Sequence, residues 1–67
     1  MTEFKVLKAI VLLKNKRGQT DPLELARFFG TDDLSLLPYL RSLNAKRLIS
    51  QDLTYIYVTD KGISLCA

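Results

Sequence analysis

The stretch TDPLELARFFGTDDLSLLPYLRSLNAKRL, Thr20 to Leu48, leaves few ways to fold, because it sets two helix patterns almost end to end. In the first, Asp21 is placed to N-cap, Pro22 fits the first helical position and Glu24 completes a capping box. Leu25, Phe28 and Phe29 supply its apolar side, Ala26 permits close packing and Gly30 stops it. In the second, Leu36, Leu40 and Leu43 share one face, with Leu37 and Ala45 to either side. Pro38 restricts where this helix begins. A proline costs about 3 kcal/mol or more in a helix interior and almost nothing in the first turn. The spacing therefore predicts a helix from Ser35 as N-cap, after a turn or short 3₁₀ segment over Thr31 to Leu34. The alternative is a helix from near Asp33, bent at Pro38.

A further helix precedes this pair. Thr2 is its expected N-cap, and Glu3 suits the positive end of its dipole. Phe4, Val6, Leu7, Ile10, Val11 and Leu13 form a wide apolar face, with Lys5, Lys8 and Asn15 opposite. Leu12 falls among the polar positions, either as an isolated exposed leucine or as a dimer or partner contact. KNKRGQ ends the helix, with Gly18 able to take the left-handed conformation of a cap. Lys14, Lys16 and Arg17 either offset the helix dipole or form a phosphate-contacting cluster.

After Leu48 the pattern changes to that of a tight hairpin. Leu48 and Ile49 open one strand, Gln51 to Leu53 turn, and Tyr55 to Val58 return. Alternation assigns Ile56 and Val58 to the core and leaves Tyr55 and Tyr57 on the other face. Thr59 can then N-cap a short last helix through Leu65.

Length and composition bound what such a chain can do. Its 67 residues make one domain, 1–67. A domain of this size hides only roughly 60% of its unfolded surface, so its core is marginal and dimerisation is one remedy. With 48% apolar and 25% charged residues the composition is that of a folded protein. The single cysteine, Cys66, cannot staple the fold, and the lack of histidine removes the commonest general base and metal ligand. Asp32 and Asp33 are adjacent and so point apart in a helix, and Gly18, Gly30 and Gly62 are isolated rather than forming a phosphate loop. No enzyme, metal site or cofactor is expected. The longest apolar run, Ala9 to Leu13, is too short to cross a bilayer, so the expectation is a soluble, cytoplasmic protein without membrane contact.

Helix, helix, turn, helix and hairpin follow one another across Phe4 to Leu65, and the hairpin closes the open end of the helices. Three segments carry a resemblance. ELARFFG, Glu24 to Gly30, resembles the first helix of a helix-turn-helix, with small residues at Ala26 and Gly30. LRSLNAKRLI, Leu40 to Ile49, is similar to the end of a recognition helix running into a wing strand. IYVTDKG, Ile56 to Gly62, looks like the second wing strand followed by a Thr-x-x-Gly helix start. The chain thus resembles the winged helix-turn-helix family. The resemblance implies an α+β, mainly α fold: a three-helix core, a short two-stranded wing and a short C-terminal helix. It also implies a small transcriptional regulator that binds double-stranded DNA, acting as a dimer. Carried over by position, Ser35, Pro38, Tyr39, Arg41 and Ser42 would face the groove. Lys46, Arg47 and Lys61 would contact phosphate, with Gln19 or Thr20 nearby. Arg47 stands where many members of the family have glycine.

The positive charge lies outside the middle third. Residues 21–40 hold Arg27 against Asp21, Glu24, Asp32 and Asp33, although the whole chain carries a net +3. That distribution, with Leu12, Tyr55 and Tyr57, supports a second expectation, a winged-helix module that binds a protein partner without reading DNA.

Overall fold

A computed structural model describes residues 2–52 and 54–66. The elements run α1 (Glu3–Leu13), β1 (Gln19–Thr20), α2 (Pro22–Phe29), α3 (Asp33–Ala45), β2 (Ile49–Gln51), β3 (Ile56–Val58) and α4 (Asp60–Cys66). The fold is α+β and mainly helical.

Each helix begins where a side chain satisfies its first free N–H groups. Thr2 Oγ1 accepts from the Lys5 N–H at 3.2 Å, and the Asp21 carboxylate accepts from Leu23 at 2.9 Å. Asp32 caps α3 by accepting from the Ser35 N–H at 2.9 Å, so the helix starts at Asp33 and not at Ser35. Pro38 consequently lies inside the helix, in its second turn. The ring removes the bond to the Leu34 carbonyl. Both Leu34 and Pro38 are exposed, which puts the interruption on the solvent side. The Thr59 hydroxyl accepts from the Gly62 N–H at 3.1 Å and starts α4, which runs one residue past Leu65.

Two helices end in the same way. After α2, Gly30 N–H bonds Arg27 O and Thr31 N–H bonds Ala26 O, at 3.1 and 3.0 Å. After α3, Arg47 N–H bonds Asn44 O and Leu48 N–H bonds Leu43 O, both at 3.0 Å. This paired closure needs a left-handed residue. Gly30 supplies it at φ 64° and Arg47 at φ 60°. Gly18 is also left-handed, at φ 78°, but it does not cap α1. It belongs to a turn built on Asn15, whose side-chain oxygen accepts from the Arg17 and Gln19 N–H groups at 2.9 and 3.0 Å.

That turn delivers β1, a strand the sequence patterns do not announce. The sheet is antiparallel in the order β1-β3-β2. Gln19 pairs with Tyr57 and Thr20 with Ile56 on one side of β3, while Ile49, Ser50 and Gln51 pair with Val58, Tyr57 and Ile56 on the other. Gln51 is therefore a strand residue and not part of the turn, and Leu53 lies outside the described residues.

The core lies between the helices and the sheet. Val6, Leu7, Ala9 and Ile10 of α1 meet Leu25 and Ala26 of α2, and Leu36, Leu40 and Leu43 of α3. Leu48, Ile49 and Ile56 close it from the sheet, with Val58 partly buried at its edge. Two aromatics expected inside face out: Phe4 is 47% exposed and Phe28 is 51% exposed. Leu25 and Phe29 occupy the inward stripe of α2, so Phe28, one position earlier, is turned about 100° away. It stacks edge-on against Phe29, with ring centroids 5.2 Å apart.

Candidate nucleic-acid-binding surface

Burial of Leu36, Leu40 and Leu43 decides which side of α3 can meet a ligand. Ser35, Pro38 and Arg41 lie on the exposed side, together with Leu34 and Leu37. Tyr39 and Ser42 were also expected toward the groove, but both are half-buried. Tyr39 packs against the core, and the Ser42 hydroxyl bonds the Glu3 carboxylate. Ser35 is engaged as well. Its backbone N–H, and then its hydroxyl, hold the Asp32 carboxyl below its ordinary pKa. Arg41 is the one basic residue on the described length of α3.

The other basic positions gather where α3 ends. Lys46 Nζ lies 2.6 Å from the Glu3 carboxylate, and this pairing, followed by the Ser42 bond, lowers the Glu3 pKa. Lys61 reaches the Lys46 carbonyl at 3.4 Å from the start of α4. Arg47 is exposed and projects from the left-handed turn between them. Thus α3, its closing turn and α4 together bring Lys46, Arg47 and Lys61 into one neighbourhood, with Arg41 about a turn and a half earlier. Glu3 is a counter-charge that no sequence pattern could place, since it is 43 residues from Lys46 along the chain.

Gln19 and Thr20 are accounted for differently. Thr20 is 1% exposed and its hydroxyl donates to the Ile10 carbonyl at 3.0 Å, so it cannot touch phosphate. Gln19 donates to the Tyr57 hydroxyl at 3.2 Å, and that hydroxyl in turn donates to Asp52 at 2.8 Å. Tyr57 therefore ties β1 to the hairpin turn across the face of the sheet. Tyr55, also half-buried, supplies a backbone N–H to the same carboxylate at 2.7 Å, as does Thr54. These bonds, from Tyr55 first, then Thr54, then Tyr57, hold the Asp52 carboxyl below its ordinary value. The turn carries no basic side chain among its described residues.

A separate hollow of about 460 Å³ lies between α1, α2 and α4, lined by Lys5, Lys8, Leu12 and Phe28 among others. Leu12 is the residue already marked by its place among the polar positions. Phe28 carries no such mark, because the sequence pattern places it with Phe29 on the apolar side of its helix. No helix among the described residues is long and apolar enough to cross a membrane. None of the described residues form a group of three or more His, Cys, Asp or Glu able to hold a metal. Compared with known proteins, the chain matches no family model, no curated protein and no solved structure.

Proposed function

We propose that the chain is a winged helix-turn-helix domain that binds double-stranded DNA as a small transcriptional regulator, chiefly through phosphate. The order of helices around a three-stranded antiparallel sheet supports the fold reading, with β2 and β3 as the wing. Arg47 carries the functional reading. The same helix closure is made with glycine at Gly30, yet an arginine holds it at the end of α3. The left-handed conformation costs an ordinary residue about 1–2 kcal/mol. A residue kept there against strain is a reason to look for function. What Arg47 adds over glycine is an exposed guanidinium beside Lys46 and Lys61, suited to a phosphate oxygen.

Asp32 and Asp33 stand at the start of α3 and repel phosphate, so the contacts fall toward its C-terminal end. Arg41 is left as the main reader of a base edge, with weak sequence preference as the consequence. Titration of random duplex DNA by fluorescence anisotropy at several salt concentrations tests this. With Lys46 held by Glu3, the two remaining phosphate contacts, Arg47 and Lys61, give a log–log salt slope of about −2. Arg47→Ala and Lys61→Ala should each make the slope shallower by about 1. Glu3→Gln should tighten binding by releasing Lys46. No binding at low salt and high protein concentration would remove the proposal. It would leave the second reading, a protein-binding module, which the exposure of Leu34 (70%) and Leu37 (37%) on the same helix favours.

A further inference from the structure

We propose that the face formed by α1, α2 and α4 is the contact surface for a second copy of this chain, joined about a two-fold axis. The hollow there is apolar apart from Lys5 and Lys8. Its apolar character continues onto the rim, where Leu12 is 71% and Phe28 51% exposed. A small ligand would fill the hollow and leave that rim in water. A protein surface covers both.

Charge selects which protein. An acidic partner would call for a rim of one sign, but this face carries both. Lys5 and Lys8 project from α1, and Glu24 lies on the exposed side of α2, one turn before Phe28. The ion pair of Lys46 with Glu3 is the only one among the described residues, so neither Lys5 nor Glu24 has an opposite charge within its own copy. Lys8 rests 5.5 Å above the Phe4 ring. In a two-fold contact each patch meets its own complement: the lysines of one copy face Glu24 of the other, and the arrangement occurs twice. Leu12 and Phe28 then pack against their counterparts between the two charge pairs, out of water. This surface lies apart from the cluster at the end of α3, and the inference does not rest on DNA binding.

Sedimentation equilibrium without DNA tests it. The chain should associate with rising concentration to twice its monomer mass of 7.6 kDa. Leu12→Glu should weaken the dimer by more than about tenfold. Its circular dichroism and melting should stay unchanged, because the side chain is exposed. Leu34→Glu, away from this face, should leave the dimer intact. Charge reversal supplies a second arm. Lys5→Glu with Lys8→Glu should dissociate the dimer, and so should Glu24→Lys. Mixing the two variants in equal amounts should restore a dimer, because both charge contacts are then complementary. A chain that stays monomeric at every concentration overturns the inference, including one whose hollow takes up a fatty acid or an acidic peptide instead. So does a dimer that survives Leu12→Glu, or a mixture that fails to reassociate.

Discussion

Arg47 and Gly30 hold nearly the same backbone angle at the ends of neighbouring helices, and only one of them is comfortable there. Arg47→Gly removes a left-handed cost of about 1–2 kcal/mol and returns about 0.5–1 kcal/mol through the greater freedom of unfolded glycine. The variant should therefore be more stable by about 0.5–1 kcal/mol, with a higher urea midpoint and an unchanged slope. It should bind DNA less tightly. A lower midpoint would show that the arginine side chain stabilises the turn in some other way. Lys46 presents the opposite case. Its pairing with Glu3 is exposed and contributes little to stability, but it offsets one of the three cations gathered at the end of α3.

At the scale of the element, the hairpin turn hangs on one carboxylate. Asp52 accepts from two backbone N–H groups and from the Tyr57 hydroxyl, and these bonds favour its charged form. A depressed carboxyl pKa stabilises the folded turn above the ordinary carboxylate range. That contribution is lost as pH falls through the depressed value. Exchange protection of the Thr54 and Tyr55 amides should thus decline selectively below about pH 4, ahead of the core. Asp52→Ala should show the same low protection already at neutral pH. Equal protection in variant and parent would mean that the turn is held by its strands alone. The helix starts at Thr2, Asp21 and Thr59 could be read in the sequence because a cap is a local bond between near neighbours. The start of α3 was harder. Asp32 and Ser35 both suit a cap, and the proline rule favoured the later one; burial of Leu36 and the Asp32 bond outweighed the cost of an interrupted turn at Pro38. β1 was not legible at all. Two residues show no alternation, and the partners of Gln19 and Thr20 lie at Tyr57 and Ile56.

Across the whole molecule, α4 is held by the absence of a side chain. Gly62 is buried against the Leu48 carbonyl, and an added Cβ would run into that oxygen while lying 2.9 Å from Val58 Cγ2. Backbone cannot swing aside as a side chain can. Gly62→Ala should destabilise the protein by about 1–3 kcal/mol, read as a lower melting temperature. An unchanged melting temperature would show that α4 can lift from the sheet without cost. The Thr-x-x-Gly pattern was visible in the sequence, but the reason for its glycine was not, because Leu48 is brought there only by the path of the hairpin. The same holds for the basic cluster at the end of α3. Its members could be named from the resemblance, whereas the acidic residue that engages one of them could be found only in three dimensions.

The strand order has a consequence for how the chain is made. β3 lies between β1 and β2, yet follows both in sequence. During synthesis α1, β1, α2, α3 and β2 all emerge before the strand that joins the two sheet edges. Until Val58 is clear of the ribosome, Thr20 and Ile49 lack their ladder partners, and the leucines of α3 await the last wall of their enclosure. A chain that carries only α1 to β2 therefore leaves both sheet edges unpaired and the α3 leucines open on one side. The sheet is complete only once a three-residue strand is inserted into its middle, so its pairings are non-local and slow to form.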